Sequence, residues 1–161
     1  MSGTTFKNPT PTVDAVIRIE RDGVDHVVLI RRSNPPAGWA LPGGFVDEGE
    51  RLDLACAREA REETGLEVVL EELLYVYSDP SRDLRKHTVS AVFTARAEGE
   101  PVGQDDAAEA ILVPIPALAP MAERGIGPGG APIVFDHALI LRDALRFFST
   151  GARPRPGEGP R

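Results

Sequence analysis

Residues 44–66 read GFVDEGERLDLACAREAREETGL, and the fold turns on how this stretch is read. From Leu52 to Glu63 the composition is helical, and Gly65 follows as the residue type that most readily takes the left-handed position closing a helix. Counted at about 100° per residue around the axis, Ala55 and Cys56 fall near the azimuth of Leu52, as do Glu59 and Glu63, with Glu62 on one flank. The inward stripe is apolar at first and then acidic. A solvated helix laced with salt bridges is the common alternative for such a charge run, and the inward azimuth argues against it.

Carboxylates gathered at a partly buried edge repel one another and lose hydration, which is unfavourable unless cations neutralise them. Hard oxygen ligands select Mg²⁺ or Mn²⁺, and Mg²⁺ keeps positions open for water or substrate phosphates. Such a centre suits phosphoryl chemistry. Arg58 precedes Glu62 at the spacing of an i,i+4 ion pair that would orient the carboxylate. Gly43 and Gly44 lie just before the helix, where the missing side chain lets backbone come close to a metal or substrate. Gly43 is a candidate metal contact and Gly44 a candidate substrate contact.

The spacing resembles the Nudix box, which runs Gly, five residues, Glu, seven residues, Arg-Glu, an aliphatic residue, any residue, Glu-Glu, any residue, Gly and an aliphatic residue. Gly44, Glu50, Arg58, Glu59, Glu62, Glu63 and Gly65 fill its fixed positions, with Ala60 and Leu66 in the aliphatic places. So many fixed positions at rigid spacing specify far more than a lone glycine motif. The resemblance implies an α/β fold, an α/β/α sandwich with a mixed sheet and a loop-helix-loop catalytic element. It also implies hydrolysis of a nucleoside diphosphate linked to another group. Glu59, Glu62 and Glu63 would then bind the metal, Glu50 would support the site, and Arg58 would act as an orienting partner.

Beyond the box, residues 77–87, YSDPSRDLRKH, resemble a loop of small prokaryotic ADP-ribose pyrophosphatases. Asp105-Asp106-Ala107 and Phe135-Asp136-His137 are similar to segments of the same group, while Leu84 and Lys86 stand where that loop commonly has Pro and Gly. The implied reaction is attack of an activated water on one phosphorus of ADP-ribose, giving AMP and ribose 5-phosphate, with Glu62 or Asp106 removing the proton. Two rivals remain open: a housekeeping hydrolase of non-standard nucleoside triphosphates, and a non-catalytic ADP-ribose sensor. The intact glutamates argue against the sensor. The resemblance further implies a homodimer.

Eighteen basic against 25 acidic side chains leave a formal charge of -7, a field that repels nucleic acid and anionic lipid. A small nucleotide-like anion would need local relief from cations and placed arginines. Arg31 and Arg32 at a strand end and Arg82 in the 77–87 loop are the candidates for its phosphates. For Arg31 and Arg32 a solvated strand end is the equal alternative. Asp105, Asp106 and Glu109 are open to two readings, a mobile acid that orients water or a turn acid that caps its own backbone. Trp39 is read as packing rather than stacking on a base, and His87 as a hydrogen-bonded structural residue.

The remaining chain reads as short strands over Val13–Ile19 and His26–Ile30, joined by the turn Arg21-Asp22-Gly23, with a loop over Ser33–Gly44 that leads into a short strand. Strands follow over Val68–Tyr77, His87–Ala95 and Glu109–Ile115. Pro120–Pro132 reads as a mobile loop, and Asp136 as the cap of a last helix through Phe148. The length and 42% hydrophobic content suit one domain over residues 1–150, with 151–161 expected as a disordered tail. The lone Cys56 reads as a small core residue, excludes an intramolecular disulfide and points to the cytoplasm, and no stretch has the length of a signal peptide core or a membrane span.

Overall fold

The computed structural model describes residues 6–157. Its elements in chain order are β1 (Thr10–Arg21), β2 (Val24–Arg32), β3 (Trp39–Ala40), β4 (Gly43–Phe45), α1 (Leu52–Thr64), β5 (Val68–Tyr77), β6 (Thr88–Ala97), β7 (Ala107–Pro114), α2 (Ile115–Arg124) and α3 (His137–Thr150). The first hairpin forms where it was expected. Asp22 and Gly23 both take positive φ, 50° and 75°, and set Arg21 opposite Val24. That twist matches the right-handed twist of the flanking strands.

β1 is the centre of the sheet, pairing antiparallel with β2 and β4 and parallel with β6. β5 adds antiparallel to β6, and β7 and β3 add to β2, so the sheet is mixed. Because successive strand side chains point to opposite faces, Val13, Ala15, Ile17 and Ile19 pack with Ala55, Cys56 and Ala60 of α1. Val16 packs on the other side with Leu118 of α2 and with Ile140, Leu141 and Ala144 of α3. Helices therefore cover both faces, the α/β/α sandwich. The same alternation sends Asp14 toward α3, although it interrupts an otherwise apolar buried run.

α1 ends at Thr64 with Gly65 at φ 70° donating its N–H to Arg61, the expected left-handed stop. Further orphan carbonyls of that end are taken by the loop before β7, through Val102 N–H to Thr64 and Gln104 N–H to Glu63. Leu52, from which the inward azimuth was counted, is itself 43% exposed, because the helix starts beyond the sheet surface.

Two expectations are corrected. The supposed mobile loop from Pro120 starts inside α2, a helix that two prolines concealed. Pro116 sits in the first turn, where a missing N–H costs nothing, while Pro120 forgoes one bond in the interior. Burial of Leu118 and Ala122 offsets that loss. The chain beyond α2 is held to β3, with Trp39 N–H on Pro132 and Val134 N–H on Trp39. Asp136 stands at the cap position of α3 but makes no cap bond, because its carboxylate accepts both ends of the Arg82 fork.

The expected tail is described as far as residue 157, where Arg153 lies on β5 through Leu73 O and Glu72; residues 158–161 are outside the described residues. Among the described residues no helix is long and apolar enough to cross a membrane.

Leu141 is fully buried between the sheet and α2. Leu141→Ala is expected to lower unfolding free energy by about 2–5 kcal/mol, read as a lower urea midpoint with an unchanged slope.

Candidate active site

The acidic end of α1, the β4 strand and the loops before β7 and α3 enclose a cleft of about 280 Å³. Glu59, Glu62 and Glu63 all line it, with Glu63 buried, Glu59 half-buried and Glu62 the most open. The predicted azimuth thus holds at the functional end of the helix. Arg58 organises this wall. Its Nε and Nη2 each bond one oxygen of Glu50 at 2.9 Å, while Nη1 reaches Glu59 at 2.8 Å and Glu62 at 3.1 Å. Nη2 also donates to Phe45 O, which ties α1 to β4. The arrangement holds the Glu50 carboxyl below its usual range, chiefly through the Arg58 hydrogen bonds. Burial raises that of Glu59 against the pull of Arg58.

Glu63 is treated differently. Its Oε2 accepts the Gly43 N–H at 2.8 Å, a neutral backbone partner. Burial pushes its carboxyl up to about 8; Glu59 and Asp14 add to the shift, and the Gly43 bond and Arg32 oppose it. Both glycines are required by close approach. A Cβ on Gly43 would lie 2.6 Å from Asp14 Oδ1, and one on Gly44 would lie 2.6 Å from either oxygen of Glu59. Gly43 was expected as a metal contact, and what faces the carboxylate is its N–H.

Among the described residues no three acidic, histidine or cysteine side chains close on one point as a cation cage would require. Glu59 and Glu62 are turned onto Arg58, and Glu63 onto the Gly43 N–H. The donor chemistry fits a hard divalent ion all the same. Three carboxylates line one cleft, and among the described residues no cationic side chain hydrogen-bonds the buried Glu63.

Arg32 lines the cleft, and Arg31, on the opposite face of the strand, is exposed near the Trp39 ring, 5.9 Å from its centroid. Strand alternation therefore divides the arginine pair and leaves Arg31 outside the cleft. Arg32 and Arg85 both stack on the Phe135 ring, at 5.0 and 5.2 Å, and all three residues line the cleft. Phe135 holds a φ of 58°, uncommon for a bulky side chain. Arg82 also lines the cleft, but its side chain is 4% exposed and its donors are committed to Asp136 and Thr88, with Asp14 at 3.6 Å. Asp106 reaches the cleft and is tied by Asn34 at 2.8 Å. Trp39 is a core residue with Nε1 bonded to Pro128 O, and His87 bonds Ser78 O outside the cleft.

Sequence reasoning missed Arg85 and Phe135 as site residues, and it missed Asp14 and His137. Arg85, Phe135 and His137 lay in the segments read as similar to ADP-ribose pyrophosphatases, and Asp14 stood out as an acid set inside the apolar run Val13–Ile17.

A mixed-sheet α/β/α sandwich that aims the acidic end of one helix into a cleft with arginines defines a hydrolase of phosphate linkages. The chain belongs to the Nudix family, whose NUDIX domain model matches residues 8–131. It is similar to the ADP-ribose pyrophosphatase of Methanocaldococcus jannaschii, 39% identical over 145 residues, covering 88% of this chain and 76% of that protein. It is also similar in structure to the NUDIX domain of Shewanella oneidensis NrtR complexed with ADP ribose, with a TM-score of 0.74 at 29% identity, covering 92% of this chain and 94% of that domain. A bifunctional NMN adenylyltransferase/ADP ribose pyrophosphatase of Francisella tularensis, complexed with AMP and a Mn ion, gives a TM-score of 0.66 at 26% identity, covering 88% of this chain and 42% of that protein.

The raised carboxyl of Glu63 sets a pH dependence for the metal-free protein. An acid whose folded value lies above its ordinary 4.5 contributes nothing at lower pH, then costs stability progressively as pH rises to about 8. In EDTA, Glu63→Gln is expected to gain in melting temperature relative to wild type between pH 5 and pH 8. A difference between the two that stays constant across that range would contradict the burial of an ionising Glu63.

Proposed function

We propose that this chain is an ADP-ribose pyrophosphatase that uses Mg²⁺ or Mn²⁺ to hydrolyse ADP-ribose to AMP and ribose 5-phosphate. The observation that carries the reading is the convergence of Glu59, Glu62 and Glu63 with Arg32 on one cleft. The similarity to the M. jannaschii enzyme over most of both chains supports the substrate. When bound, the cation would shield phosphate charge and ease the ionisation of water.

Glu59 and Glu63 would hold it, with Gly43 fixing the direction of Glu63 and the backbone at Gly44 leaving room for Glu59 and the substrate. Glu62 has a side chain 41% exposed against 14% for Glu59, which suits it to take the proton from the attacking water. Asp106, on the loop before β7, is the second candidate for that proton. Arg58 and Glu50 would keep the carboxylates apart and oriented. Arg32, with Arg85 beside it on Phe135, would meet the diphosphate as water attacks one phosphorus and the bridging oxygen departs with the other.

The working unit would be one domain over residues 1–150, paired as a homodimer in the cytoplasm. Exposed Val69, Leu73 and Val76 on the edge strand β5 support the pairing, and the buried, unbridged Cys56 suits a reducing compartment. A binding-only role is the second reading, favoured by the similarity to the NUDIX domain of S. oneidensis NrtR, which is complexed with ADP ribose.

Product analysis with purified protein, Mg²⁺ or Mn²⁺, and a panel of ADP-ribose, NADH, diadenosine polyphosphates and nucleoside triphosphates separates these readings. The expected result is AMP and ribose 5-phosphate from ADP-ribose, abolished by EDTA and lowered on the order of 10²-fold or more in Glu62→Gln. Pyrophosphate from triphosphates alone would assign a housekeeping hydrolase instead, and tight binding without turnover would assign a sensor.

A further inference from the structure

One wall of the cleft is a buried polar cluster, with Asp14, Arg82 and His137 among the lining residues, that no step of the proposed reaction uses. His137, the first residue of α3, is buried and accepts the Leu41 N–H on Nδ1 at 2.9 Å. An imidazole nitrogen that accepts a backbone N–H carries no proton, so the ring proton sits on Nε2. Nε2 faces Asp14 Oδ1 at 3.4 Å. The other oxygen of Asp14 accepts the Ser90 hydroxyl and stands 3.6 Å from Arg82.

Both anchors of His137 lead to the glutamates. Asp14 is the ladder partner of Gly43, and its Oδ1 occupies the space a Gly43 side chain would need. Leu41 begins the short segment that carries Gly43, whose N–H holds Glu63, and Gly44, which abuts Glu59. The segment is fastened between these points by Ala15 N–H on Pro42 O. Cys56 of α1 lies on the Asp14 carbonyl at 3.7 Å, so the helix that bears the glutamates rests on the same residue.

We propose that His137 is a positioning residue for the metal-binding glutamates: by gripping the Leu41 N–H while backed by Asp14, it sets the course of residues 41–44 and so the direction of Glu63. The inference rests on the assignment of Glu59 and Glu63 to a divalent cation. His137 lines the cleft, and both of its ring nitrogens are engaged by the protein, one by Leu41 and one by Asp14. Its action runs through backbone, from α3 across Leu41 to Gly43. Partners one shell behind metal ligands typically alter metal affinity by about 10- to 100-fold.

The two nitrogens can be separated by substitution. Asparagine places an acceptor near the position of Nδ1 and keeps the Leu41 bond, whereas glutamine reaches the position of Nε2, keeps the Asp14 contact and loses the Leu41 bond. Mn²⁺ titration of the metal-free full chain, followed by the electron paramagnetic resonance of free Mn²⁺, reads the effect without turnover. His137→Asn is expected to stay within about threefold of wild-type affinity and His137→Gln to weaken it about 10-fold or more, with circular dichroism confirming that both are folded.

Wild-type affinity in both variants, or equal loss in both, overturns the proposal. A folded Glu63→Gln that binds Mn²⁺ as tightly as wild type overturns the metal assignment itself and this inference with it. Loss in Glu63→Gln but not in His137→Gln overturns the positioning role alone. If His137→Gln does not fold, His137→Ala takes its place, since it also removes the acceptor of the Leu41 N–H; weaker Mn²⁺ binding than in His137→Asn supports the proposal, and binding equal to that of His137→Asn overturns it.

Discussion

Like charges packed onto one buried helix face are the constraint around which this molecule is arranged. Glu59, Glu62 and Glu63 share the C-terminal half of α1, and Glu50 lies across from them. A single guanidinium, Arg58, bonds three of these four carboxylates and also reaches the Phe45 carbonyl. A lysine could not do this, because the contacts use separate donors of a planar fork. Glu63 is left with a backbone N–H, and its carboxyl rises to about 8 because burial is only partly compensated. The polypeptide thus offers one carboxylate a partner too weak for its charge, which is the electrostatic condition that a divalent cation relieves.

Close approach has a second consequence. The backbone passes so near the helix that residues 43 and 44 have no room for side chains, one against Asp14 and the other against Glu59. The glycines serve as clearance, and the clearance lets a strand edge and a helix converge on one cleft. On its other side the same strand edge abuts the cluster of Asp14, Arg82, Asp136, Ser90 and His137. Each member of that cluster is held by at least one other, which is the condition under which buried charge is tolerated. The cluster joins β1, β6, α3 and the 77–87 loop at one point.

Arginine placement follows the same economy of faces. Arg31 and Arg32 are neighbours in sequence, yet strand alternation sends only Arg32 into the cleft. Arg85 joins it across the Phe135 ring, so the cationic side of the site is assembled from a strand, a loop and the entry to α3. Arg82, although in the same loop as Arg85, is consumed by structure.

The sequence by itself determined α1, its stop at Gly65, the turn at Asp22-Gly23 and the acidic face, because each depends on residues within a few positions of one another and obeys helix or turn periodicity. The Nudix spacing was legible for the same reason: its members share one loop-helix-loop. Tertiary structure alone decided α2, since burial of Leu118 and Ala122 had to outweigh two prolines that speak locally against a helix. It also decided that Arg82 bonds Asp136 and Thr88, that Arg85 and Phe135 line the cleft, and that Asp14 meets His137. Those pairings join residues from distant parts of the chain, and long-range partners leave no periodic trace in a single sequence; they exist only once the sheet has set its register.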